Sequence, residues 1–275
     1  MKLALLAGVP VSVIVVGAII LNQQLAIEQP DERYCYARDD QHHAAIVIDN
    51  SFTAESSTAQ FRSYRTGMMA AYDDAPPNAQ ISIFTSAKDV NAALIDPVFT
   101  ICKPAASAAE QKAMGTPSKP SPYLKRTAED AKQQYLEAVE SVLSDASNSA
   151  KQSGNSPILE RMQAISRHKL FSGEDRSLTV ITDGIQNSEI ARFCVVKGDM
   201  PAYAEFQNRM AFDHVRPNSF KGTEVKLLLV EFGELPSAGA PYCSNNELRT
   251  WWPDYYTGNG AENVETTRLP FGADG

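Results

Sequence analysis

The chain contains no C-x-x-C pair, no cluster of lysine and arginine, no G-x-S-x-G elbow and no G-x-x-x-x-G-K loop. Each absence removes a class of function. Without closely spaced cysteines a structural zinc site has no ligands. With a net charge of −8 and no basic patch denser than Lys125-Arg126, a phosphate backbone has nothing to hold it, which excludes nucleic acid as the main partner. Lys125-Arg126 itself reads as a solvated helix start. Without the elbow or the phosphate loop, neither an α/β-hydrolase nor a nucleotide-triphosphate enzyme is indicated. The histidines, His42, His43, His168 and His214, have no ligand spacing, and His42-His43 reads as the flank of a strand. There is no internal repeat.

What is present begins with an apolar segment. Residues 3–21 carry no charge and follow Lys2. As a helix this stretch is about 28 Å long, close to the hydrocarbon thickness of a bilayer. Pro10, Gly8 and Gly17 are tolerated in such a helix. A cleaved signal peptide is the rival reading, but Gln24-Leu25-Ala26 is a poor cleavage site and Val16-Gly17-Ala18 lies inside the apolar run. Residues 1–22 are therefore expected to be an uncleaved transmembrane anchor, followed by a polar stalk over 23–41. Lys2 on one side and Glu28, Asp31 and Glu32 on the other put the bulk of the chain outside the cytoplasm. That is the periplasm in a Gram-negative bacterium; if the N-terminus is cleaved, the product is periplasmic or secreted.

The four cysteines, Cys35, Cys102, Cys194 and Cys243, fit that compartment. An even number beyond a membrane segment suggests two disulfides, the alternative being four reduced, buried thiols. Three pairings are open. Cys194 and Cys243 each follow a predicted strand by about a dozen residues, which puts them on one rim and favours 194–243 with 35–102.

The remaining chain alternates strands and helices. Residues 44–48 form an apolar strand that runs into Asp49-Asn50-Ser51-Phe52-Thr53, and an apolar strand over 177–182 runs into Asp183-Gly184. Each delivers a carboxylate at its C-terminal end, where open α/β sheets bind ligands. Helical spacing covers 57–72, 123–147, 157–168 and 245–256, with a possible helix over 202–212. Within 245–256, Pro253 predicts a late start or a kink, and the cluster Trp251 to Tyr256 reads as core. Ser156 before Pro157 reads as a helix cap. Strand patterns cover 79–84, 225–232 and 264–268. The Pro77-Asn78 turn and the little room for a crossover allow 79–84 to be an antiparallel edge strand. Residues 103–122, rich in Ala, Ser, Pro and Lys, read as a flexible surface insertion. The expected architecture over 42–270 is α/β, a doubly wound, mostly parallel sheet flanked by helices.

Three motifs, in order, resemble the von Willebrand factor type A family, whose fold integrin inserted domains share. Its metal-ion-dependent adhesion site reads D-x-S-x-S after the first strand, then a threonine from a G-x-T-P-like loop, then an aspartate from a T-D-G-like loop. Here the counterparts are Asp49-Asn50-Ser51-Phe52-Thr53, Gly154-Asn155-Ser156-Pro157 and Thr182-Asp183-Gly184. The resemblance implies a Rossmann-like fold and a metal set of Asp49, Ser51, Thr53, Ser156 and Asp183. Thr53 and Ser156 depart from the family pattern, but both keep a hydroxyl. Oxygen-only ligands suit Mg²⁺, with Mn²⁺ or Ca²⁺ as alternatives. The implied function is divalent-metal-dependent protein binding, with a partner's acidic side chain completing the site. A metal-free scaffold in a membrane complex is the alternative. The first motif also superficially resembles the D-x-D-x-T/V of haloacid-dehalogenase-like phosphatases, but Ser51 replaces their general acid and no Lys and Asp pair completes such a site. The expectation is a binding protein with no catalytic residue.

Overall fold

The computed structural model describes residues 29–36, 38, 40–49, 56–85, 96–149, 155–173, 175–195, 197–231 and 242–270. The expected anchor over 1–22 lies outside them, and among the described residues no helix is long and apolar enough to cross a membrane.

Among the described residues six strands form one sheet: β1 (His43–Ile48), β2 (Gln80–Thr85), β3 (Phe99–Cys102), β4 (Arg176–Thr182), β5 (Thr223–Val230) and β6 (Asn263–Leu269). Their order is β3-β2-β1-β4-β5-β6, and every pairing is parallel except β2 with β3. The strand order reverses between β1 and β4, the position where a doubly wound sheet opens a crevice at its C-terminal edge.

Helices cover both faces, as the side-chain alternation of β1 requires. Ala44, Ile46 and Ile48 point to one core, shared with Tyr64, Met68 and Tyr72 of α1 (Thr58–Asp74). The long α3 (Ser121–Ser149) adds Tyr135, Val139 and Leu143 to the same core. Ala45 and Val47 point to the other, built with α4 (Ile158–Ser166), α5 (Tyr203–Phe206), α6 (Met210–Val215) and α7 (Asn245–Gly258). Burying a large apolar side chain contributes roughly 1.5–3 kcal/mol. The aromatic stripe of α7, Trp251, Trp252, Tyr255 and Tyr256, is fully within this core and offsets the roughly 3 kcal/mol cost of Pro253 inside the helix. A capping box between Ser244 and Glu247 starts α7 on time, so the late start expected from Pro253 does not occur.

Several expectations are corrected. Residues 80–85 are not an edge: α1 is itself the crossover, so β2 lies parallel to β1, and the antiparallel edge is β3, which the pattern reading missed. The single helix over 202–212 is two short ones, broken near Arg209. The stretch 103–122 carries α2 (Ala108–Ala113), capped by Ser107, and its Ala105 and Met114 pack on Tyr36. The distal part of the expected stalk is tied to the sheet: Cys35 is bonded to Cys102, Cys102 N donates to Arg33 O at 2.9 Å, and Tyr36 N donates to Asn78 Oδ1 at 2.9 Å. Asn78 takes a left-handed φ of 64°, which asparagine tolerates in a turn after Pro76-Pro77. The second disulfide joins Cys194 to Cys243, so both expected pairings are present.

Candidate functional site

The C-terminal ends of β1 and β4 lie side by side, with Ile48 registered against Ile181. Asp49 continues the ladder, its N donating to Ile181 O at 2.9 Å, and is only 4% exposed. A carboxylate buried this far is costly unless hydrogen-bonded. Two hydroxyls meet that need: Ser156 Oγ donates to Asp49 Oδ2 at 3.0 Å, and Thr182 Oγ1 donates to the same oxygen at 3.1 Å. Thr182 Oγ1 in turn accepts from Gly184 N at 3.0 Å, so the β4 turn is folded around the hydroxyl that holds Asp49.

Ser156 is therefore not the cap of α4. The residue before that helix is Pro157, which makes no side-chain cap bond. The orphan N–H of Leu159 is taken by Gln186 Oε1 at 2.9 Å, from the loop after β4. Ser156 also pairs with that loop through its backbone, Ser156 N to Asn187 O and Asn187 N to Ser156 O, each 2.8 Å. Gln186 thus performs the capping and Ser156, 5% exposed, turns its hydroxyl to Asp49.

Asp183 is half-buried beside this pair. Its Oδ1 accepts from Ile185 N at 2.9 Å, which fixes the carboxylate's direction. Gly184 follows with φ 78°, and its carbonyl accepts from Trp252 Nε1 at 3.0 Å, anchoring the turn on α7. The phenol of Tyr64, fully buried on α1, senses Asp183. Burial pushes its pKa up to about 12, the hydrogen bond with Ser56 pulls down, and the Asp183 charge pushes up. Tyr64 is thus a buried, neutral phenol.

Of the five expected ligands, Asp49 and Ser156 are in direct contact, and Asp183 adjoins them through Thr182. Ser51 and Thr53 lie outside the described residues. Thr182, Gln186 and Tyr64 escaped the sequence reading. Thr182 preceded the aspartate in the motif, but nothing in the pattern marked its hydroxyl as a donor to Asp49. No group of three His, Cys, Asp or Glu among the described residues could hold a metal. The donor chemistry here is instead two carboxylates with hydroxyls, and it fits a hard divalent cation. Ser156 donates a hydrogen bond to Asp49, which leaves its oxygen lone pairs to serve as a neutral ligand, and the carboxylates are oriented by hydrogen bonds.

The chain matches no protein-family model and no curated protein.

Proposed function

We propose that residues 42–270 form a von Willebrand type A-like domain that binds a protein partner through a divalent cation at the β1/β4 edge. Asp49, Ser51, Thr53, Ser156 and Asp183 would hold the cation, Mg²⁺ or alternatively Mn²⁺ or Ca²⁺. Bound there, the cation supplies an open coordination position for a partner's acidic side chain and offsets the charge of two neighbouring aspartates. The observation that carries this reading is the direct Ser156-to-Asp49 hydrogen bond, which joins two of the three motifs across 107 residues of sequence, at the crevice where the strand order reverses. Asp49 accepts hydrogen bonds from Ser156 and Thr182, and Asp183 is aimed by the Ile185 amide, so the chain's own groups orient the oxygens. The proposed setting is the outer face of a membrane, with residues 1–22 as a single anchor. Two disulfides support an oxidising compartment.

A metal-free scaffold is the second reading, and one observation favours it. Asp49, Ser156, Thr182, Gly184 and Trp252 form a hydrogen-bonded latch between β1, the α4 entrance, β4 and α7 that holds together with protein groups alone. Calorimetric titration of the chelator-stripped full chain with Mg²⁺, Mn²⁺ and Ca²⁺ separates the two. Saturable binding of one of them is expected. Absence of binding for all three overturns the metal reading and leaves the latch.

A further inference from the structure

The opposite end of β4 holds a second constellation, which no motif announces. His42, just ahead of β1, bonds Asp175 Oδ1 through Nδ1 at 2.8 Å and Ser177 Oγ through Nε2 at 3.0 Å. A carboxylate can only accept, so Nδ1 carries the proton; in the neutral ring Nε2 then accepts from the Ser177 hydroxyl. This is a nucleophile, a base and a group that orients the base, hydrogen-bonded in series. The His42 side chain is 12% exposed and Asp175 is 75% exposed. All three residues line a cavity of about 750 Å³, at the strand-start edge of the sheet and away from Asp49 and Asp183.

We propose that Ser177, His42 and Asp175 form an acyl-transfer site for small carboxylic esters whose alcohol part is neutral or cationic. Ser177 Oγ attacks the ester carbonyl carbon while its proton passes to His42 Nε2. The bond from that carbon to the alcohol oxygen breaks, and His42 returns the proton to the departing alkoxide. Water then attacks the acylated Ser177, giving a proton to His42. The Ser177 ester bond breaks, the carboxylic acid leaves, and His42 reprotonates Ser177 Oγ. Asp175 keeps Nδ1 protonated and Nε2 aimed at the nucleophile. Positive charge for the developing oxyanion comes from Lys221, which lines the same cavity, whereas Lys226 there is already paired with Asp74 at 2.6 Å. Glu224, registered directly beside Ser177 on β5, and Glu262 at the wall repel anionic esters and set the charge preference.

The test is labelling of the intact chain with a fluorophosphonate, which forms a stable Oγ–P bond at an activated serine with loss of fluoride. The expected result is one adduct per chain, mapped by peptide mass to Ser177 in the unmutated protein. Ser177→Ala abolishes it and His42→Gln slows it by about 100-fold or more, the contribution of a positioned general base. Acetylcholine is hydrolysed, and O-acetylglycolate, an acetate ester whose alcohol part is anionic, is not. Absence of an adduct at Ser177 in folded, unmutated protein overturns the proposal, and so does labelling whose rate is unchanged by His42→Gln. Neither outcome bears on the metal reading, because the two sites occupy opposite ends of β4.

Discussion

Asp49→Asn discriminates between a metal ligand and a structural latch, and the reason lies in the two hydrogen bonds at Oδ2. Hydrogen bonds to a charged group contribute about 1.5–3 kcal/mol each. Asp49→Ala removes both acceptor contacts and strands the Ser156 and Thr182 hydroxyls in a buried site. The summed cost of about 3–6 kcal/mol is comparable to the whole stability of a marginal domain. That variant unfolds too much of the protein to be informative. Asparagine keeps an amide oxygen where Oδ2 stands, so both donors stay paired and only the charge assistance is lost, roughly 1–3 kcal/mol for the pair. Denaturant unfolding of the full chain, with chelator and with Mg²⁺, separates the terms. A ligand at a hundredfold excess over its dissociation constant stabilises the folded state by about 2.7 kcal/mol. The wild-type chain gains this on adding Mg²⁺, while Asp49→Asn gains little or none. An equal Mg²⁺-induced shift in wild type and Asp49→Asn refutes the reasoning, since Asp49 would then have no part in holding the cation. A wild-type midpoint unmoved by Mg²⁺, Mn²⁺ and Ca²⁺ assigns Asp49 to the latch alone.

Other outcomes follow from the same structure. Gly184→Ala places a Cβ 2.7 Å from Trp252 Nε1 at a φ of +78°, which costs about 2–3 kcal/mol from the left-handed backbone and the strained indole hydrogen bond; a fall in the urea midpoint followed by tryptophan fluorescence checks it. Reducing the disulfides releases loops of 67 and 49 residues, about 4 kcal/mol each by the chain-entropy argument, so a reductant should lower the midpoint sharply and an unchanged midpoint would count against both bridges. Burial holds the His43 and His168 imidazoles below their ordinary value. The unfolded chain therefore binds protons first, so their contribution is fully present above about pH 6.5 and is lost as pH falls from there through the folded values. Replacing both with Gln should flatten the acid limb of a stability–pH curve.

The sheet was legible where burial is symmetric. Val47 and Ile48, Val180 and Ile181, and Leu227 to Val230 are apolar runs because both faces of a central parallel strand are covered. The edge was not legible. Phe99–Cys102 is four residues long, follows Pro97, and is a strand only because β2 lies beside it. The order of β1, α1 and β2 was misjudged for a related reason. The seventeen residues of α1 already span the crossover, so the tight Pro76-Pro77-Asn78 turn returns the chain parallel and not antiparallel.

At the site, local pattern and tertiary structure compete for the same atoms. Serine before proline at a helix start is a sound capping signal, and it fails here because Gln186, 27 residues downstream of Leu159, takes the donor that a cap would satisfy. Releasing Ser156 from capping is what allows it to reach Asp49. The interaction is therefore readable only from the family-like order of motifs, never from the helix pattern. Ser177, His42 and Asp175 had no such order to betray them: a serine near a strand start and a histidine flanking another strand are each unremarkable alone. The register of β1 against β4 makes them one unit, since His43 lies opposite Arg176 and so brings His42 level with Asp175. The same register, carried to the other end, sets Asp49 beside Thr182. One strand pairing thus fixes the geometry at both edges, and Thr179→Pro, which puts a proline in the middle of β4 between β1 and β5, should cost both hydrogen-bond sets together. Loss of Mg²⁺ binding and of Ser177 labelling in the same variant, while each survives a change at the opposite edge, is the result that this coupling requires.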